Sequence, residues 1–286
     1  MNIQWYPGHM TKTKRMMAEN ISLVDIVIEL LDARIPLSSK NPNIDEIAKN
    51  KLRIVLMNKS DLADPKVTEK WVKYFEELGH KVILTDSVSG KGLSQITETA
   101  RELMKEKIER LKARGRIFVP IRAMIVGIPN VGKSTLINKY VGKSTTKTGD
   151  KPGVTKGKQW VKIKKDFELL DTPGILWPKF DDENVGLNLA FTGAINDQII
   201  DTYTLSSKLI EKLLQIRPEC LEERYKIDID MQMNPEEILE KIGQSRGFKI
   251  KGGEIDLERT AIIILDEFRG LKLGRISLEQ PPYIKS

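Results

Sequence analysis

Apolar and polar positions along this chain follow two rhythms. The first half carries short, nearly continuous apolar runs, Asp25–Leu31, Arg53–Met57 and Lys81–Leu84, each bounded by loop-forming residues. Runs of this length with few polar interruptions predict strands buried on both faces, as in a parallel sheet. A helix-like stretch, Pro65–Leu78, separates the second run from the third, and a long charged helix is predicted over Leu93–Arg114. Ala123–Val126 predicts another buried strand and Lys133–Tyr140 a helix. Gln159–Lys164 and Phe167–Leu170 form a hairpin-like pair joined by Lys165 and Asp166. Strands alternating with helices make an α/β unit.

After about Pro178 the rhythm turns helical. Asn234, Pro235 and Glu237 place an N-cap, a first-turn proline and an N3 glutamate together, a helix start. Asp256 is predicted to cap a further helix whose apolar face carries Leu257, Ala261, Ile264, Phe268 and Leu271, with Gly274 at its end. The predicted architecture is thus α/β, a mostly parallel sheet with flanking helices over residues 1–178 (segment 1–20 included), followed by a small all-helical domain over 179–286.

Composition narrows the chemistry. At 286 residues with 40% hydrophobic content, the chain can bury a core in roughly two domains. One cysteine, Cys220, and two histidines exclude a disulfide framework and a cysteine- or histidine-built metal site. A metal would have to be held by hydroxyls, carboxylates and a ligand's own oxygens. No apolar run approaches a membrane span, and the first ten residues do not read as a secretory signal, so a soluble cytoplasmic protein is expected. Net charge is +7, and the excess sits mid-chain. Eight basic residues face three acidic ones between Arg101 and Arg122, and Lys139–Lys165 holds nine lysines and only Asp150 as an acid. That excess suits a polyanionic partner. A Lys-rich solvated face is the plainer alternative.

Gly127-Ile-Pro-Asn-Val-Gly132-Lys133-Ser134 follows a predicted strand and opens a predicted helix, the context a phosphate-binding loop requires. Backbone N–H groups around Asn130, Val131, Gly132 and the first helical residues through Thr135 would cradle phosphates. Lys133 would reach the β- and γ-phosphates, and the Ser134 hydroxyl would ligate Mg²⁺. Asp171-Thr172-Pro173-Gly174 leaves the last strand; Asp171 fits a Mg²⁺-supporting acid, directly or through water, and the Gly174 N–H a γ-phosphate sensor. Asn58-Lys59-Ser60-Asp61 suits guanine: a carboxylate at Asp61 can accept from N1–H and the 2-amino group together, a donor pair that adenine lacks. Asn58 is expected on the other edge of the base, the Lys59 stem along its ring, and Ser87, in the loop Thr85–Gly92, near its carbonyl. For Asp61, a simple helix cap is the competing reading.

The base-reading pair precedes the phosphate loop, the reverse of the usual GTPase order and therefore a circular permutation. In this order Asn58–Asp61, Ser87–Gly92, Gly127–Ser134, Pro152-Gly153-Val154-Thr155 and Asp171–Gly174 resemble the YlqF/YawG family of circularly permuted GTPases. The resemblance implies GTP and GDP as ligands and a role in late assembly of the large ribosomal subunit, with the helical tail on rRNA. It implies neither DNA nor membrane as a partner, and a monomer is the default expectation. It also places Thr155 in a switch segment, where its hydroxyl would complete the Mg²⁺ shell.

Ile175 stands where a water-orienting glutamine usually follows the glycine, so another catalytic group is required. His9 is the candidate, with RNA contact or packing on Trp5 as its alternative roles. Asn130 resembles the asparagine that binds a monovalent cation in some related GTPases, which implies K⁺. In the tail, Arg246–Gly253 and Arg269–Arg275 interleave bases with apolar residues, suiting phosphate contacts with Phe248 free to stack. Other readings are a regulatory GTPase that recruits proteins, or a GTPase of tRNA or RNA modification.

Overall fold

The computed structural model describes residues 18–142, 159–172, 182–195, 201–230 and 232–282. They form two compact units. The first holds one six-stranded sheet of order β3-β2-β1-β4-β6-β5. Its strands are β1 Ile26–Asp32, β2 Leu52–Asn58, β3 Lys81–Leu84, β4 Ile121–Gly127, β5 Gln159–Lys164 and β6 Phe167–Asp171. All neighbouring pairs are parallel except the β5/β6 hairpin. β1 sits at the middle, buried along its whole length, and pairs with β2 (Asp32 opposite Asn58) and with β4 (Leu30 opposite Gly127).

Helices α1 Asn43–Ile47, α2 Pro65–Glu77, α3 Leu93–Ala113 and α4 Lys133–Val141 connect these strands. On one side Trp71 and Phe75 of α2 stack at 5.7 Å and pack with Leu31, Val55, Met57 and Ala63. Ile21, Val24, Val27, Ile44, Met124, Val126 and Leu170 form a second core cluster. Burying such side chains stabilises by roughly 1.5–3 kcal/mol each. Parallel strands bring the C-terminal ends of β1, β2, β4 and β6 to one edge. The chain turns to opposite sides after β1 and after β4, which makes that edge a topological switch point, where ligands of open α/β sheets bind.

The second unit is all-helical: α5 Glu183–Phe191, α6 Thr202–Ile216, α7 Glu219–Tyr225, α8 Pro235–Arg246 and α9 Leu257–Arg269. Leu205, Leu209, Leu213, Ile238, Leu239, Ile242, Ile264, Leu265 and Phe268 are buried within it. The predicted capping box is present, Asn234 accepting from the Glu237 N–H while the Glu237 carboxylate accepts from the Asn234 N–H. Asp256 caps α9 through the Arg259 N–H, as expected.

Two expectations change. α9 ends at Arg269 rather than near Gly274, because Leu271 is left-handed (φ 66°) and the Lys272 N–H reaches back to the Glu267 carbonyl at 2.8 Å. Leu271 is therefore outside the helix and exposed. The end of the chain also departs from the expected helical domain of 179–286: residues 279–282 belong to the sheet unit. There the Glu279 carboxylate accepts from the Leu37 N–H (2.8 Å), the Ser38 N–H and the Ser38 hydroxyl, and the Glu279 carbonyl accepts from the Trp71 indole at 3.2 Å. Two turn N–H groups and a hydroxyl satisfy a carboxylate better than water-exposed helix packing could.

Among the described residues, no helix is long and apolar enough to cross a membrane.

Candidate functional site

The loop from Gly127 to Gly132 leaves β4 and enters α4, as its sequence requires. Asn130 and Gly132 both adopt left-handed backbone, φ 57° and 99°. At Gly132 a Cβ would lie 2.5 Å from Asn58 Nδ2, so glycine is needed for space as well as for conformation. Ser134 and Thr135 are half-buried in the first turn of α4, where helix N–H groups lack internal partners and attract anions.

Two lysines converge on this loop. Lys133 is buried and ion-paired with Asp171 at the end of β6. Burial pushes the Lys133 ammonium below its ordinary value, and the charge of Asp171 opposes that shift. Lys59, left-handed at φ 57°, donates from Nζ to the Asn130 carbonyl at 3.0 Å and lies 3.1 Å from Asp32 Oδ2. Burial lowers the Lys59 ammonium too, with Asp32 again opposing. Ammonium groups so poorly hydrated gain strongly from an incoming polyanion.

Asn58 and Ser87 are brought together. The Asn58 Oδ1 atom accepts from the Ser87 N–H (3.1 Å), the Ser87 hydroxyl (2.7 Å) and the Thr85 hydroxyl (3.3 Å), and its Nδ2 donates to the Val131 carbonyl at 2.8 Å. Both residues are almost fully buried. Together Asn58 and Ser87 lock three loops to each other. A buried amide must satisfy both its ends, and the loops surround it completely.

Asp61 behaves differently. It is half-buried, and among the described residues its carboxylate accepts no hydrogen bond. The cap of α2 is Asp64, which accepts from the Val67 N–H at 3.0 Å, so the competing role for Asp61 falls away.

Asp32 and Arg34 were not singled out by sequence reasoning. Arg34 grips Asp32 with Nε at 3.0 Å and Nη2 at 2.7 Å, both side chains nearly fully buried. Burial alone would raise the Asp32 carboxyl, but Arg34, then Lys59, outweigh it and hold it well below the usual carboxylate range. The available signal was an aspartate ending an apolar run broken only by Glu29, with an arginine two residues later.

His9, Thr155, Gly174 and Ile175 lie outside the described residues. Thr172 is buried and donates to the Ile125 carbonyl at 2.8 Å, holding the exit of β6 beside β4. Among the described residues, no three His, Cys, Asp or Glu side chains are placed to hold a metal by themselves. Asp171 Oδ2 is buried without a hydrogen-bond partner there, near the Ser134 end of the loop through the Lys133 ion pair. A hydroxyl and a spare carboxylate oxygen suit a hydrated hard cation that also takes phosphate oxygens. In the helical unit Arg246 pairs with Glu267, Arg269 donates to the Ala190 and Phe191 carbonyls, and Arg259 covers the ring of Phe248 at 4.3 Å. Arg246, Arg269 and Phe248 are thus engaged within the fold, whereas the other basic residues of these two segments, Lys249, Lys251, Lys272 and Arg275, are exposed.

A family model described as a 50S ribosome-binding GTPase matches residues 122–232. Ribosome biogenesis GTPase A of Bacillus pumilus is 50% identical over 98% of this chain and 99% of its own length. The Thermotoga maritima protein of the same name is 34% identical over 98% and 95%. The crystal structure of GNP-bound YlqF from T. maritima covers 96% of this chain and 100% of its own, at 30% identity and a TM-score of 0.65. A GDP-bound structure of that protein covers 92% and 97%, with a TM-score of 0.63. Permuted strand order, phosphate loop and full-length likeness agree: the chain belongs to the ribosome biogenesis GTPase A (YlqF) family, binds guanine nucleotides and hydrolyses GTP.

Proposed function

We propose that this GTPase docks on a precursor of the large ribosomal subunit in its GTP form and leaves after hydrolysis. One observation carries the coupling: Asp171, paired with the phosphate-loop Lys133, is the last residue of β6, and from Thr172 the chain continues directly toward the helical unit. Nucleotide state is thereby tied to the segment that joins the two units. Names of relatives, ribosome biogenesis GTPase A, and of the matching family, a 50S ribosome-binding GTPase, support the ribosomal target. The expected partner surface is rRNA, and the protein is expected to act as a cytoplasmic monomer.

At the site, Lys133 exchanges Asp171 for the β- and γ-phosphates, trading a short buried pair for a denser anion. Ser134, with Asp171 directly or through water and Thr155, would hold Mg²⁺, which supplies charge neutralisation between phosphates. Val131, Gly132, Lys133, Ser134 and Thr135 offer phosphate contacts, Gly174 a γ-phosphate contact, Asp61 the guanine contact with Lys59 over the ring, and Asn58 and Ser87 hold the loops. His9 is proposed to orient the attacking water. K⁺ beside Asn130 would add positive charge; equal turnover in K⁺ and Na⁺ would remove it.

Turnover measured alone, with large subunits and with small subunits tests the ribosomal reading. An acceleration of at least tenfold by large subunits only, about 1.4 kcal/mol of barrier, is expected. Equal turnover in all three mixtures would refute it. Asp61→Asn tests base choice separately: GTP affinity should fall by about 100-fold while xanthosine triphosphate binds better than GTP. Unchanged GTP affinity would discard the assignment.

A further inference from the structure

Helix α3 is only lightly held along its C-terminal half, where Lys107 pairs with Asp25 and Ile108 and Leu111 are half-buried. Its buried residues are Leu93, Ile96, Thr97, Ala100 and Met104. From Lys105 to Ala113 no side chain is buried, which at 1.5 Å per residue is about 13 Å of helix. Solvated helix ends are common, but the residues here are unusual. Arg110, Lys112, Arg114 and Arg116 come without a carboxylate among residues 110–118. Among the described residues none of these four side chains has a hydrogen bond or ion pair. Nearby cations do: Arg101 holds Asp166, Arg122 holds Glu168 and Lys81 holds Glu102. Favourable placement at the helix C-terminus accounts for Arg110 and Lys112. It does not account for Arg114 and Arg116, which follow the last turn. Directly after them, Ile117 is 99% exposed and Phe118 57% exposed.

We propose that the tip of α3 and the linker 114–118 form an RNA-docking surface on the sheet unit. This rests on the ribosomal reading given above and names a surface for it. Four unpaired cations, three of them arginines, suit consecutive phosphates, and the exposed Phe118 ring suits an unstacked base, the combination that grips single-stranded or looped RNA. In the helical unit, by contrast, Arg246 and Arg269 are engaged within their own fold. A protein partner would be expected to present carboxylates and an apolar pocket here, and that is the alternative outcome of the test.

The full chain, as wild type, as the combined Arg110→Gln, Lys112→Gln, Arg114→Gln and Arg116→Gln variant, and as Ile117→Ser/Phe118→Ala, is titrated with purified large ribosomal subunits and with mixed-sequence single-stranded RNA over a range of KCl. Neutralising the four cations should weaken binding at least thirtyfold and reduce the slope of log K against log salt by about 3. The apolar pair should weaken binding about tenfold without changing the slope. Melting temperature and turnover of the free protein should not move in either variant. Wild-type affinity and slope in the four-cation variant would overturn this surface while leaving the ribosomal reading intact. Loss of binding in the apolar variant alone would overturn RNA in favour of protein. A wild-type chain that binds neither subunits nor RNA would overturn both.

Discussion

Lys133→Met is expected to reduce GTP turnover at least a hundredfold, about 2.7 kcal/mol of barrier, and to lower the stability of the nucleotide-free protein by about 3 kcal/mol. Both effects come from one ion pair. Lys133 is almost completely enclosed and Asp171 fully so, and the pair joins α4 to β6. Methionine fills similar volume but leaves the Asp171 carboxylate buried without a cation, and its Oδ2 atom already has no hydrogen-bond partner among the described residues. Loss of turnover without loss of stability would mean that the pair matters only through its contact with phosphate. A stable, fully active variant would refute the central place given to Lys133. Thermal unfolding without nucleotide and turnover at saturating GTP separate these results.

The second large effect is expected at Asp32. Asp32→Asn keeps the shape but removes the charge that two buried cations share, and should destabilise the fold by about 3 kcal/mol at neutral pH. GTP affinity should fall as well, because Asp32 is what sets Lys59 against the Asn130 carbonyl of the phosphate loop. The pH dependence has a definite sign. Asp32 has a folded value held below its unfolded one, so its contribution is complete above about pH 4 and is lost as pH falls through the folded value. The difference in unfolding free energy between wild type and Asp32→Asn should stay constant from about pH 5 to 8 and shrink below about pH 4. A gap that instead widened toward acid would contradict the depressed carboxyl. An unchanged GTP affinity would separate Asp32 from the site.

Much of this was legible from residue order. Apolar runs of strand length, separated by helical stretches, located each strand of the sheet to within a residue or two at either end, because a strand buried on both faces tolerates few polar positions. The phosphate loop announced itself through its glycine spacing, and Gly132, left-handed and packed against Asn58, shows why a glycine is needed there. What pattern could not show was the direction in which a polar side chain turns. Asn58 and Asp61 look equivalent in a four-residue motif, yet Asn58 bonds Ser87, Thr85 and Val131 while among the described residues the Asp61 carboxylate accepts no hydrogen bond. Direction depends on which loops surround a group, and those loops come from distant parts of the chain. The partners of Arg246 and Phe248 were hidden for the same reason: Glu267 and Arg259, both on α9, meet them in the folded unit. Asp32 escaped notice because a charge ending an apolar strand has no local partner pattern beyond its neighbour Arg34.

The Glu279 contact with Leu37 spans 242 residues of chain. In covalent terms the helical unit is an insertion between β6 and the segment that pins the turn after β1. That turn supplies the Ser39 hydroxyl to the Asp32 N–H at 3.0 Å, so the pinned loop reaches back to the residue beside Lys59. During synthesis the sheet strands emerge early, but this pin is made only after the whole helical unit has been translated. Closing so long a loop adds little to the final free energy, since the entropy grows only with the logarithm of length, yet it delays the event. A nascent chain therefore contains the residues of both loops before the segment that pins this turn has been made. The Glu279 contact is accordingly one of the last that synthesis makes available.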